Sequence, residues 1–453
     1  MTGRPCNHHP EYDHPVEQET GRRPMTDSRS QQADELRKAG KLEEALPIYQ
    51  DLARTSQQPY PFRWWIYCLR KTGRLEEAQQ AGDEALARYP DNPYLRSEVG
   101  WVLYERLLKP ALEGSSDDAV KVAAWKVIET NPENDFLVNR VAVAALKYTK
   151  DTDNPDWRFI ARLADKVKPA TLSADQRTTP DGKTYMSEME AWYINAAHAY
   201  LEVGEYDKAH RVAQEGLARF PDQLFLIRNA AKALFHSGDA QAAAQTMRPL
   251  LNHPRCEWYV RSELAQMEMA LENWEEAYRL LCQALQNRQS DQYKVGCFET
   301  MAEVCLRLEK LEEAYLHVAL AKSVRAAAGW KLPDSLTRLD EDVQRAFQAA
   351  EKSLPDLPDE PAALSRLCAN HWREGTIAGL PRFRGRIRQI HPDRKYTFIQ
   401  PEDGGEGPIV FLRDLPRDCA REGTLVEYSL EKSFDRKKNR ESFKAVHIRR
   451  LDS

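Results

Sequence analysis

Along most of the chain the apolar residues recur every three or four positions. From about Ser28 to Leu354 this spacing predicts amphipathic helices, each burying one apolar stripe. After Leu354 the period changes. The prolines and acids of LPDLPDEPAAL mark a linker, and residues 362–381 predict one more helix, broken at Gly375, that packs on the module beyond it. From there the period falls to two. Gly385–His391, Lys395–Gln400, Pro408–Arg413, Gly423–Leu430 and Ser442–Ile448 alternate apolar and polar residues as strands do, and Gly404-Gly405 supplies the turn between the second and third. Five short strands in about 70 residues predict a small closed barrel. The expected organisation is a Pro-rich, disordered tail over 1–27, a helical domain over 28–354, a linker and short helix over 355–381, and the barrel over 382–453.

Within the helical domain a phrase repeats. Gly-x-x-x-x-Ala occurs as Gly40 to Ala45, Gly73 to Ala78, Gly204 to Ala209 and Gly238 to Ala243, and copies without the glycine end at Ala277 and Ala314. Pro90, Pro132, Pro221 and Pro254 close units, and spacings of 33, 34 and 37 residues separate copies. This resembles the tetratricopeptide repeat, a helix pair of about 34 residues. Gly suits the tight turn, and Ala lets the second helix pack closely on the first. Between 95 and 190 the pattern is irregular, with a long helix over Tyr94–Leu108 and a polar insertion over Lys168–Lys183. Asp334–Lys352 predicts a last helix capped by Asp334. The resemblance implies a groove lined by the first helix of each pair, which places Arg63, Tyr67, Arg70 and Lys71, and further on Arg228, Lys232 and His236, on a basic surface suited to an acidic peptide or a phosphate backbone.

The strands carry the second resemblance. Arg394-Lys395-Tyr396-Thr397-Phe398-Ile399 is similar to the Lys-Gly-Phe-Gly-Phe-Ile motif of cold-shock domains, and Ile409-Val410-Phe411-Leu412-Arg413 to their Val-Phe-Val-His motif. Gln389 stands where that family has an outward Trp, Ile390 where it has Phe, Arg413 where it has His, and Asp414 where it often has another aromatic. The resemblance implies an OB-type barrel for single-stranded RNA or DNA, RNA preferred, in which Tyr396, Phe398 and Phe411 stack bases. Rings suit this work because every base has a π face, and nearby cations hold the phosphates. Arg386, Arg388, Lys395, Arg413, Lys437 and Lys438 are the candidate cations. The charge is distributed accordingly: residues 382–453 hold 17 Lys and Arg against 12 Asp and Glu, whereas the whole chain has a net charge of −5.

Composition narrows the remaining classes. With 42% hydrophobic and 30% charged residues and no apolar run near the ~20 residues of a membrane span, a cytoplasmic protein is expected. The eight cysteines are scattered, without a Cys-x-x-Cys pair, and read as reduced thiols. Cys6, His8, His9 and His14 lie too loosely in the tail for a metal site, and no metal or cofactor is expected. Phosphate-loop, dinucleotide, zincin and serine-hydrolase motifs are absent, so the expectation is a non-enzyme. The fold class expected is an all-α tetratricopeptide-like helical solenoid followed by an all-β, five-stranded, cold-shock-like barrel. Its function would be that of an adaptor, with a protein or peptide partner in the repeat groove and single-stranded nucleic acid on the barrel. The alternative is a protein-only scaffold, or a regulatory subunit of a bacterial stress or defence complex, whose barrel no longer binds nucleic acid.

Overall fold

A computed structural model describes residues 28–114, 116–152, 154–377, 381–391, 393–435 and 440–451. The tail with Cys6, His8, His9 and His14 lies outside the described residues, as do Lys437 and Lys438. The chain divides between Val203 and Gly204 into two compact units.

The first unit is built from helices α1 (Ser28–Lys38), α2 (Leu42–Thr55), α3 (Tyr60–Lys71), α4 (Leu75–Arg88), α5 (Pro93–Leu103), α6 (Lys109–Glu113), α7 (Asp117–Thr130), α8 (Asp135–Lys150), α9 (Trp157–Ala164) and α10 (Glu188–Glu202). Amphipathic spacing dictates what each buries; α2, for example, hides Ala45, Leu46, Tyr49, Leu52 and Ala53 along one stripe. The stretch expected as one long helix is helical throughout but changes its winding partway. Tyr104–Leu108 widens into a π turn before α6, which lets the chain accommodate Pro110, a residue with no amide hydrogen to donate. The polar insertion holds a 3-10 turn at Pro169–Thr171 and a two-stranded ribbon pairing Arg177–Thr178 with Thr184–Tyr185.

The second unit continues with α11 (Tyr206–Leu217), α12 (Leu224–His236), α13 (Ala240–Met247), α14 (Trp258–Ala270), α15 (Trp274–Leu285), α16 (Asp291–Arg307), α17 (Leu311–Ala327), α18 (Asp334–Ala349) and α19 (Pro361–Ile377). The repeated glycines do what their position requires. Gly73 turns with φ 78° and Gly238 with φ 95°, and the amides that follow bond back across the helix end, as Arg74 N to Leu69 O at 2.8 Å does. Where the phrase lacks glycine, Glu272 and Glu309 take the same left-handed turn with φ 60° and 58°. Ala45, Ala78, Ala209, Ala243, Ala277 and Ala314 are all fully buried.

Two expectations for the end of the helical region are corrected. Asp334 makes no capping hydrogen bond; Pro333 occupies the cap and Asp334 is the first helical residue, where its charge suits the helix dipole. The helix expected to break at Gly375 and pack on the barrel is continuous, and it buries Leu364, Cys368 and Trp372 in the core of the helical repeats. Gly375 makes that approach possible. A Cβ there would lie 2.5 Å from Cε1 of Tyr278, with Sγ of Cys282 nearer still.

The barrel strands are β1 (Phe383–Ile387), β2 (Tyr396–Pro401), β3 (Ile409–Phe411), β4 (Leu425–Asp435) and β5 (Arg440–Arg450). They close in the order β1-β2-β3-β5-β4; β3 runs parallel to β5, and every other pair is antiparallel. Ile387, Ile399, Val410, Val426, Tyr428, Ala445 and Ile448 fill the interior. The chain is therefore mainly helical, with tetratricopeptide-like helix pairs, and ends in a closed five-stranded barrel of mixed strand direction. Among the described residues no helix is long and apolar enough to cross a membrane.

Candidate nucleic-acid interface and the repeat residues

Alternation along β2 sends Thr397, Ile399 and Pro401 inward and Tyr396, Phe398 and Gln400 outward. The β2–β3 register then sets Tyr396 opposite Phe411, and Phe398 opposite Ile409. The rings of Tyr396 and Phe398 meet edge to face with centroids 5.7 Å apart, and Phe398 is 36% exposed. These three rings form one outward patch.

Cations flank the patch on both sides. On the β1 side Arg386 pairs in register with Gln400, while Arg388, just past the strand, donates its backbone amide to Phe398 O at 2.9 Å and its guanidinium to Gln400 Oε1. Arg384 and Arg386 both point outward, and Arg386 also donates to Gly423 O at 3.0 Å. On the other side the Arg413 guanidinium lies 5.5 Å from the Phe411 ring and the Lys444 ammonium 5.8 Å. Lys395 is exposed beside Tyr396. Lys444 is the residue that sequence reasoning missed. It reaches the patch because the parallel β3–β5 pairing sets it opposite Ile409, a long-range register that no local pattern signals. Gln389, where the resemblance has an aromatic, is exposed.

Acids temper this surface. Asp414 lies 3.5 Å from both the exposed Arg413 and the half-buried Lys444, solvent-accessible pairs that contribute little to stability but offset some of the positive charge. Elsewhere on the barrel Arg382 bonds Glu427 at 3.2 Å and both Ser429 Oγ and His447 O at 3.0 Å. Burial opposes the charge on Glu427, yet hydrogen bonds from Arg382 and Arg449 hold its carboxyl below the usual range. That cluster pins β4 to β5 and leaves the ring patch alone.

The repeat residues meet different surroundings. Arg70 is 8% exposed and ion-paired with Glu98 at 3.5 Å and Glu105 at 2.5 Å. Arg228 donates to both oxygens of Glu263, at 2.6 and 2.5 Å, and lies 4.8 Å from the Tyr259 ring, while Lys232 stands 3.6 Å from the same carboxylate. His236 stacks on Tyr206. Arg63 and Tyr67 each contact Trp64, and Lys71 is exposed. Neighbouring carboxylates thus offset much of the charge expected at Arg70, Arg228 and Lys232. Among the described residues no group of three or more His, Cys, Asp or Glu side chains is placed to hold a metal ion.

Residues 224–357 match a family model described as "Domain of unknown function (DUF7017)". No curated protein matches the chain. Among solved structures it is similar to a tetratricopeptide repeat protein from Parabacteroides merdae, with 12% identity over 59% of this chain and 95% of that one at a TM-score of 0.26. It is similar also to the human IFIT1 dimer with PPP-AAAA, with 14% identity over 77% and 80% of the two chains at a TM-score of 0.36. For the P58(IPK) TPR domain the figures are 13% identity, 72% and 99% coverage, and a TM-score of 0.29.

Proposed function

We propose that this chain is a non-enzymatic adaptor whose barrel binds single-stranded nucleic acid, RNA in preference to DNA, and whose helical repeats hold a protein partner. The observation that carries the reading is the patch of Tyr396, Phe398 and Phe411, flanked by Arg386 and Arg388 on one side and Arg413 and Lys444 on the other. Rings stack bases of any identity and the cations hold the backbone between them. The strand order and the parallel closure of β3 on β5 support an OB-type barrel. In the repeats, Arg228, Lys232 and Glu263 form a mixed-charge surface that we assign to the partner segment. The adaptor works by tethering, since a modest barrel affinity gains from the raised local concentration once the repeats are occupied. A cytoplasmic setting suits the free thiols of Cys68, Cys256, Cys282, Cys297, Cys305, Cys368 and Cys419.

Asp414, set against Arg413 and Lys444, favours a second reading in which the barrel docks protein alone. Photocrosslinking separates the two. A 4-thiouridine RNA of about 12 nucleotides, within the ~4–16 nucleotide site size of such barrels, is irradiated with the full chain and the adducts are mapped by mass spectrometry. Adducts on Tyr396, Phe398 or Phe411 are expected. Adducts with none between residues 381 and 451 favour the protein-only reading.

A further inference from the structure

In the first unit, rings and guanidinium groups alternate across four helices. Arg37 of α1 lies 3.5 Å from the Trp64 ring of α3, and Arg63 stands 4.6 Å from that same ring and 4.7 Å from Tyr94 of α5. Further along, Arg70 of α3 lies 5.9 Å from Trp101 of α5, and Arg140 of α8 lies 5.8 Å from that same ring and 5.5 Å from Tyr104. Phe136 of α8 joins Trp101 with ring centroids 6.1 Å apart. The run is not sealed in a core: Tyr94 is 54% and Phe136 51% exposed.

Charge is sorted to the same helices. α1, α3, α5 with its π turn, and α8 carry 11 Lys and Arg against 5 Asp and Glu, whereas α2, α4 and α7 carry 4 against 10. Arg37 and Arg70 share their charge with Asp34, Glu98 and Glu105. Among the described residues Arg63 and Arg140 have no carboxylate within salt-bridge distance. Four buried donors within the run, Nε of Arg63 and Arg70 and Nε1 of Trp64 and Trp101, lack an acceptor. Spare cations beside exposed flat rings call for a ligand that brings negative charge and planar groups together.

We infer that this run is a second site for single-stranded nucleic acid, distinct from the barrel. A strand offers a phosphate and a π face at every nucleotide, so it uses both components of the run. An acidic peptide matches the cations and leaves the row of rings without a role. The inference stands on the contacts of α1, α3, α5 and α8 and does not depend on the barrel patch.

The test uses the full chain with the barrel rings removed, Tyr396→Ala with Phe398→Ala, titrated with a labelled oligouridylate of about 12 nucleotides at low salt. Residual binding is expected. Adding Arg63→Gln and Arg140→Gln should weaken it roughly tenfold or more and flatten the log–log salt slope by about 1.4, at about 0.7 per lost phosphate contact. Tyr94→Ala with Phe136→Ala, both at exposed positions, should weaken it as well, and unchanged thermal melting shows that these variants fold. Absence of residual binding, or residual binding that the ladder substitutions leave unchanged, overturns the inference. So does a polyglutamate peptide that binds at Arg63 and Arg140 where oligouridylate does not. Failure of the barrel reading looks different: Tyr396→Ala with Phe398→Ala then leaves affinity as it was, while the ladder variants abolish it.

Discussion

The indole Nε1 of Trp372 donates to Nε2 of His317 at 2.8 Å, tying α19 to α17 across 55 residues of sequence. Because Nε2 accepts, the imidazole proton resides on Nδ1, which donates to Glu313 O at 2.7 Å. The Trp372 ring also stacks on Phe298 with an interplanar angle of 3°. Gln286 closes the joint by donating to Trp372 O at 3.1 Å and to Thr376 Oγ1. The last helix before the barrel is thereby anchored in the repeats.

Trp372→Phe keeps most of the stacking and removes the donor. It leaves Nε2 of a fully buried histidine unpaired, which should cost about 1–3 kcal/mol in urea denaturation. Gly375→Ala should destabilise by a similar ~1–3 kcal/mol, since its new Cβ would overlap Tyr278 and Cys282. Wild-type midpoints for both variants would mean that α19 does not seat as described.

The same histidine makes stability depend on pH. Burial, opposed by the Glu313 carbonyl and carboxylate and assisted by His371, lowers the His317 pKa to about 4 from an ordinary 6.5. Above pH 6.5 the group is neutral in both states and contributes no slope. Between pH 6.5 and 4 the unfolded chain takes up the proton and the folded one does not, so stability falls with pH by up to roughly 3 kcal/mol. Urea titrations from pH 7.5 to 4 on wild type and His317→Gln check this; the variant should lose part of the slope, and equal slopes would assign the acid sensitivity to other groups.

Glu272→Gly and Glu309→Gly should each stabilise the second unit by about 1 kcal/mol, because a side chain in the left-handed region costs about that much more than glycine does. Thermal melting reads the gain. A loss on either substitution would show that the glutamate side chain makes a compensating interaction.

These two positions show what the sequence made legible. The Gly-to-Ala phrase is a local instruction, a left-handed turn followed by a small residue facing the partner helix, and it can be read wherever it occurs; at 272 and 309 tertiary packing holds the same turn against the residue's own preference. The barrel was legible for a related reason, since period-two alternation reports directly which residues face inward. The docking of α19 was not. Trp372 finds His317 and Phe298 through contacts remote in sequence, and Gly375, which reads locally as a breaker, serves a close approach that only the assembled core reveals. The same limit applied to charge. Arg70 and Arg228 look free along their own helices, whereas Glu98, Glu105 and Glu263 come from neighbouring ones. Lys444 joined the ring patch only through the parallel closure of the barrel.

The most direct test of the central claim is fluorescence anisotropy of a labelled single-stranded RNA against the full chain and its Tyr396→Ala, Phe398→Ala variant at two salt concentrations. Each ring that stacks a base contributes roughly 1–3 kcal/mol, so the folded variant should bind at least about tenfold more weakly, and wild-type affinity should fall steeply as salt rises. Equal affinity of variant and wild type at both salts would contradict base stacking on the barrel and leave it a surface for protein.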